Sequence, residues 1–488
     1  MARLANMGKS EPRRTGVMGV SGLTGPLLVL ISLSFLGVAD GQDTKGRKVS
    51  TPDGVTLREV ATVGASARVQ IEMKAEGLFQ QELPPDQVQE GAKLPKPLDL
   101  DVKSRLIFTE RVVEVEPAPS QKGGRGRARR SLRLVQQAAS AINGEVRRSA
   151  AVLRPEVSLL VAGWTPDDPG VGVVVASPGG PLLRSELELV QGPADSLMMA
   201  DLLPTDPVAA GSRWKPGDAA ARSLSGYDAI TANTLEAALE SLDDDVARIK
   251  IRGKIEGSVL GGAGTITCDG NLTFNRRDGW VERLELNRTE TRKPGPVEVG
   301  LEVKSTITLL RRVAETPAEL KDDAIDAKIG PERLLLKQTS PDGKASFLHD
   351  RSWHTTWDDP RVVVLKRVEK GKVVGQCNLT VGPNAGKGKH QDPGQFRDDI
   401  RRALGKRFID YLGMGEVDGD PAGNFRYRVG VRGREGEVEL LWFYYLIAGP
   451  AGDQLLATFA LTPEQAKAFG EQDLSIIGSL QWLETKDR

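Results

Sequence analysis

Apolar residues follow two spacings along this chain, and the two sort it into regions. Residues 60–73 (VATVGASARVQIEM) and 106–115 (LIFTERVVEV) have strand character and flank a proline-rich connection at 83–97. The clearest alternation follows at 247–257. There Ile249, Ile251 and Ile255 share one face, Lys250, Arg252 and Lys254 take the other, and Gly253 stands between them. Further strands are expected at 265–268, 271–274, 280–288 and 297–310, with residues 275–279 (NRRDG) as a hairpin turn carrying the Asp-Gly signal. Val281, Leu284 and Leu286 break strict alternation once.

Helical spacing appears in four places. Leu235, Ala238, Leu239 and Leu242 fall on one helical face, with Asn233 or Thr234 placed to cap it. A second helix is expected at 131–143, after the arginine-rich stretch. A third carries Phe396, Ile400, Leu404 and Phe408 at every fourth position. The fourth begins with Thr462 as N-cap, Pro463 at the first position and Gln465 completing a capping box, and keeps Ala466, Phe469, Ile476, Ile477 and Leu480 on one face. Before it, residues 362–368 and 373–381 read as a hairpin, and 425–431, 438–447 and 454–461 as a meander. The middle strand is apolar on both faces from Leu440 onward, which predicts a central strand covered on both sides.

This pattern predicts an α+β protein. A β-rich region at 42–312 forms an open barrel or a bent antiparallel sheet, a polar linker occupies 313–333, and an α/β domain closes the chain at 334–488. The length of 488 residues accommodates two or three domains. Lys plus Arg and Asp plus Glu are both 66, so no global field favours nucleic acid or an anionic membrane.

At the start of the chain, Arg3, Lys9, Arg13 and Arg14 precede an apolar run at 25–38 and then small residues. That run is shorter than the ~20 residues of a membrane span and has signal-peptide form. The expectation is cleavage after Ala39 or Gly41 and export to the periplasm or beyond, with no transmembrane helix in the mature chain. Cys268 and Cys377 fall in different regions and make no disulfide framework.

The chain carries no convincing catalytic or ligand-binding set, so no catalytic, metal or cofactor residue is assigned and no cofactor is expected. His349, His354 and His390, near Asp350, Asp358 and Asp359, do not follow metal-ligand spacing and are expected at the surface. Residues 382–389 (GPNAGKGK) lack phosphate-loop spacing because Gly388 follows Lys387, and a mobile loop is expected. Ser346, Ser352 and His354 form no triad on spacing, and Asp243, Asp244 and Asp245 lack EF-hand spacing. Trp353, Trp357, Trp442 and Trp482 read as core, with Trp357 the one placed for exposure. Residues 121–133 (QKGGRGRARRSLR) hold six basic side chains without an aromatic to stack on bases, and read as a solvated basic loop rather than a nucleic-acid patch.

Residues 202–311 carry Pro207-Val208, Gly211 and Trp214, then Ile251, Gly253 and Gly257. They continue with Asp269-Gly270, Leu272, Phe274, Gly279-Trp280-Val281, Leu284 and Leu286. This order is similar to exported bacterial β-rich proteins of unknown function and, more distantly, to the LolA and LppX half-barrel carriers. The second likeness implies an acyl chain on the concave face between residues 247 and 310. Residues 334–482 resemble the PsbP-like α/β/α sandwich through 347–353 (FLHDRSW), Tyr444-Tyr445 with the hairpin after them, and 476–480 (IIGSL). Asp350 stands where that pattern has proline. Members of that family are mostly adaptor, assembly or binding proteins with no shared active site. The expected role is therefore a non-catalytic exported binding protein, engaging another protein or a cell-envelope component. The alternatives are a carrier of an apolar ligand or a hydrolase with an unrecognised site.

Overall fold

The computed structural model describes residues 54–80, 96–117, 125–142, 153–164, 172–321, 325–417 and 424–483. The expected signal peptide and most of the proline-rich connection lie outside them. The chain is mainly β, built on large antiparallel sheets, none of them closed. It divides into two compact units, one ending at Leu336 and the other beginning at Lys337.

The first unit is a single antiparallel sheet made of two meanders. One contains β1 (Ser66–Gln80), β2 (Leu98–Pro117), β3 (Arg125–Ile142), β4 (Leu159–Trp164) and β5 (Val173–Ala176). The other contains β6 (Glu236–Leu242), β7 (Val246–Val259), β8 (Gly262–Asn275), β9 (Trp280–Arg292) and β10 (Gly300–Val313). The first strand of one pairs with the last strand of the other, β1 with β10, which gives the order β5-β4-β3-β2-β1-β10-β9-β8-β7-β6. Between the meanders run α1 (Arg184–Val190), a 3-10 segment Ser196–Leu202 and α2 (Asp218–Ser225).

One core joins both ends of this sheet. Val175 of β5 and Ala237 and Leu239 of β6 belong to the same buried cluster as Leu197, Met199, Ala221 and Leu224 of the intervening segment. The sheet is thus bent around its own connection, and apolar burial of this kind contributes about 25 cal/mol per Å². In β7, Ile249, Ile251 and Ile255 are buried while Arg252 is exposed and Lys254 lies on the same outward face. Gly253 has φ +147°, and a Cβ there would lie 2.4 Å from the Thr234 carbonyl oxygen, so only glycine admits this crossing. The broken alternation after Val281 is a β-bulge: Phe274 faces Val281 and Thr273 faces Arg283, which leaves Glu282 as the extra residue. The two segments expected at 265–268 and 271–274 are one continuous strand, β8.

Two expected helices are strands. Residues 236–242 form β6, paired with β7, with Ala237 and Leu239 buried at the two-residue period. Asn233 caps no helix; its Oδ1 accepts from the Leu235 N–H in a turn. Residues 131–142 lie in β3, zipped along β2. Both sequences satisfy either period over a short window, and pairing with a neighbouring strand decides between them.

In the second unit, seven strands form one antiparallel sheet. They are β11 (Trp353–Asp359), β12 (Val362–Glu369), β13 (Lys372–Gly382), β14 (Phe408–Glu416), β15 (Phe425–Glu435), β16 (Val438–Ala448) and β17 (Gln454–Leu461). Their order is β11-β12-β13-β17-β16-β15-β14. Side chains alternate between two cores. Tyr445, Ile447, Leu455 and Phe459 meet Phe469, Ile476 and Ile477 of α4 (Pro463–Phe469) and α5 (Gln472–Gly478). Trp442, Leu446, Val429 and Val431 meet Phe396, Ile400 and Leu404 of α3 (Pro393–Leu404). The strand β16 is therefore interior and covered on both faces. Phe408 leaves the expected helix, because α3 ends at Gly405 (φ +52°) and Phe408 opens β14. The capping box at Thr462 is present, and Gly470 (φ +59°) splits the last helix in two.

Candidate functional site

The open edge of the second sheet carries the most distinctive surface among the described residues. Among the described residues, the strand β14 pairs with β15 alone. Its pairing slips twice, so that Ile409 and Leu412 are extra residues with no partner across the ladder. A bulge re-aims its side chain. Accordingly Ile409 is 46% and Leu412 49% exposed, and Met414 nearby is 43% exposed. Natural edges are blunted by Lys, Pro, bulges or inward charge. Here the bulges are present, but they turn apolar side chains outward, and the strand holds neither lysine nor proline.

Beside this strand lies a groove of about 390 Å³, lined by Leu412, Met414, Arg428, Gly430, Phe443 and Leu474. Gly430 makes the floor: a Cβ there would stand 3.3 Å from Leu412 Cβ and 3.6 Å from the Phe443 ring. Arg428 forms one wall, 4.3 Å above the Phe443 ring. It is held by a hydrogen bond of 2.7 Å from Nη2 to Asp473, and the Tyr445 hydroxyl donates to the same carboxylate at 2.6 Å. Burial, reinforced by the Asp473 charge, pushes the Tyr445 phenol far above its ordinary range, so it remains a donor. The wall is held in place, and the groove mixes apolar side chains with this anchored cation and the Glu416 carboxylate.

The first unit holds one charge network in its interior. Arg133 makes a two-pronged pair with Asp195 at 2.7 and 2.8 Å and lies 3.6 Å from Glu110. Arg311 lies 3.3 Å from Glu110 and 3.2 Å from Glu59. All five side chains are buried. Burial by itself would raise the Asp195 carboxyl; the Arg133 guanidinium overrides it and holds the group below the usual carboxylate range. Glu110, Arg311 and Trp280 also border a cavity of about 350 Å³ whose rim holds Arg276, Arg277 and Asp278. On α1, burial pushes Glu188 up to about 8, against the pull of Arg184 and with the added charge of Glu298.

Of the arginine-rich stretch, residues 121–124 lie outside the described residues, and 125–133 form a strand rather than the expected loop. Its described arginines pair within the unit: Arg127 with Asp201, Arg129 and Arg130 with Glu114, and Arg133 with Asp195. The alternation of strand residues, with acidic partners on β2 and the 3-10 segment, brings this about, and no local signal in the sequence reveals it. His349 and His354, expected at the surface, are buried at 4% and 5% exposure; His349 shares its strand face with core Phe347, and His354 lies on the face opposite core Trp353. His390 is exposed and stacks on Phe425 with ring centroids 3.5 Å apart. No cluster of His, Cys, Asp or Glu able to hold a metal occurs among the described residues.

The glycine-rich segment at 382–389 is pinned rather than loose. The Ala385 and Gly388 amides donate to Gly452 and Pro450, and Asn384 binds Asp453. Asp243 makes a turn between β6 and β7, its Oδ1 accepting from the Asp245 and Val246 amides. Ser352 donates to Asp350 and receives a hydrogen bond from Arg367, while Ser346 sits on a different strand. Trp353 and Trp442 are core, Trp482 is partly buried and Trp357 is 47% exposed. Cys268 and Cys377 are free and buried. The face expected to take an acyl chain, with Leu284, Leu286, Ile307 and Leu309, packs in one core with the 3-10 segment and α2. No helix among the described residues is long and apolar enough to cross a membrane.

No protein-family model matches this chain, and no curated protein matches it. Among solved structures, it has weak similarity to the translocator domain of the autotransporter NalP from Neisseria meningitidis. That likeness has 6% identity, covers 81% of this chain and 86% of that one, and has a TM-score of 0.09. A mutant of the Rh. blastica porin gives 9% identity, coverage of 82% and 99%, and a TM-score of 0.10. Pseudomonas aeruginosa OpdQ gives 9%, coverage of 82% and 96%, and 0.10. Likeness at this level assigns the chain to none of these folds.

Proposed function

We infer that this chain is an exported, non-catalytic binding protein, and that its second unit makes the contact through the open edge at β14 and the groove behind it. One observation carries the reading: Ile409, Leu412 and Met414 stand exposed along one edge strand, beside a groove with an anchored wall. Exposed apolar side chains gathered on one strand mark an interaction surface, whereas scattered ones do not. The two-sided packing of the second sheet supports its reading as a PsbP-like α/β/α sandwich, whose members mostly serve as adaptors or assembly factors. In the first unit, the buried face of the bent sheet is filled by its own connection. That favours a protein or cell-envelope partner over a lipid cargo.

A photoreactive amino acid at position 414, introduced in the producing cell, tests this. The expected result is a discrete cross-linked species that disappears with Leu412→Asp and is absent when the probe sits at exposed Val63. Equal cross-linking from both positions defeats the reading. Organic extraction and mass spectrometry of the purified protein is the companion measurement, since a stoichiometric lipid points to the carrier alternative instead.

A further inference from the structure

We propose that residues 317–333 form a strap that opens as one unit while the sheet beneath it stays folded, baring an apolar patch on the outer face of the first unit. The segment expected as a polar linker lies against that face. Side chains alternate along β3 and β4. Arg133, Leu160 and Ala162 point into the unit, and Leu132, Leu134, Leu159 and Val161 point out of it. Leu132 faces Val161 across the ladder, and Leu134 faces Leu159. With Val113 of β2 they make an apolar patch, whereas the outward face of β7 carries Lys250, Arg252 and Lys254. An antiparallel sheet can leave a polar face in water, but an apolar one calls for a cover. Leu320, Ile325, Ala327 and Ile329 supply it, and Leu132 and Val161 beneath them are 2% and 0% exposed.

The cover is held by side chains. Residues 325–329 alternate between half-buried Ile325, Ala327 and Ile329 and exposed Asp326 and Lys328, the period of an extended chain, yet they belong to no strand. Among the described residues, their hydrogen bonds stay within the segment. The Lys328 amide donates to Asp326, and Arg333 donates to the Asp326 and Lys328 carbonyls. An ion pair of 3.0 Å between Arg333 and the Asp326 carboxylate closes this clasp. The strap is tied to the sheet by Arg111 of β2, whose Nη1 donates to the Leu320 carbonyl at 2.8 Å. The strands below are laddered on both sides, β3 between β2 and β4. A segment with few buried apolar side chains and no ladder opens at lower cost than the sheet it covers. A bared apolar patch is an interaction surface, so the strap makes contact at this face conditional on its own release.

Thiol labelling of the full chain, read site by site by peptide mass spectrometry, tests the proposal. Val161→Cys places a thiol under the strap, while the native Cys268, buried in the core of the same unit, reports opening of the unit as a whole. Each labelling rate follows the population of the form that exposes the thiol. The Val161→Cys thiol is expected to react roughly a hundredfold faster than Cys268. Leu320→Ala loosens the strap, and is expected to speed labelling at position 161 by about tenfold or more while leaving Cys268 unchanged. Leu132→Cys, across the ladder from Val161, is expected to behave in the same way, and it keeps the test open if Val161→Cys does not fold. Equal rates under the strap and at Cys268 overturn the proposal, because the segment then opens only with the whole unit. Acceleration of both sites together by Leu320→Ala, or of neither, overturns it as well.

Discussion

The two units put their unusual residues in opposite environments. The first buries charge: Glu59, Glu110, Arg133, Asp195 and Arg311 are all but inaccessible and lie in one chain of ion pairs. The second exposes apolar surface, with Ile409, Leu412 and Met414 at the sheet edge. Buried, mutually paired charge is a device of architecture, since it ties the segment before β1 to β2, β3, β10 and the 3-10 segment. Exposed apolar surface has no such use inside the chain. A charged stretch that looks like a binding patch is thus structural here, and a plain apolar strand is the better candidate for contact.

The sharpest way to break this contrast is to remove one charge from the buried set. Arg311→Ala leaves Glu59 and Glu110 without their shared cation, and is expected to destabilise the first unit by about 3–5 kcal/mol in denaturant unfolding. A loss no larger than that of an exposed arginine would show that the network is dispensable.

Acidity separates two carboxyls whose values are shifted in opposite directions. Asp195 has a depressed folded-state value, so its contribution is present above the ordinary 3.8 and is lost as pH falls through its folded value. Glu188 is raised to about 8 from an ordinary 4.5, so the folded state alone holds the proton between those values. Stability then falls as pH rises across that window, by up to about 1.4 kcal/mol per pH unit at full protonation difference. Glu188→Gln is expected to flatten the decline between about pH 5 and 8, as measured by thermal unfolding; an unchanged slope would place the titration elsewhere.

Smaller effects sharpen the second unit. Thr462→Ala removes the N-cap that accepts from the Gln465 amide at 3.2 Å, and is expected to cost about 1 kcal/mol. Leu412→Asp is expected to change stability by no more than about 0.5 kcal/mol while abolishing contact at the edge. A large loss of stability there would mean that Leu412 belongs to the core and not to the surface.

Much of this architecture was legible in the order of residues. The alternation from Val246 to Val313, the turn at Asn275 to Gly279, the two-sided strand around Trp442 and the capping box at Thr462 are local patterns, and local backbone chemistry was enough to fix them. The helices expected at 131–143 and 235–242 failed because a short apolar run fits two periods, and only a neighbouring strand chooses. The contact surface was illegible for a related reason. The residues of β14 (FIDYLGMGE) carry no motif, and Ile409 and Leu412 read as ordinary apolar positions.

Sequence by itself determined which segments form strands over most of the chain, where glycine must turn it and which helix end is capped. These depend on φ preferences, side-chain alternation and hydrogen bonds a few residues apart. Only the tertiary structure decided that Arg127, Arg129, Arg130 and Arg133 are paired within their own unit, that His349 and His354 are buried, and that β14 is left at an edge with its bulged side chains facing water. Those outcomes depend on which distant strand becomes a neighbour, and pairing between segments far apart in the chain leaves no mark on the local pattern.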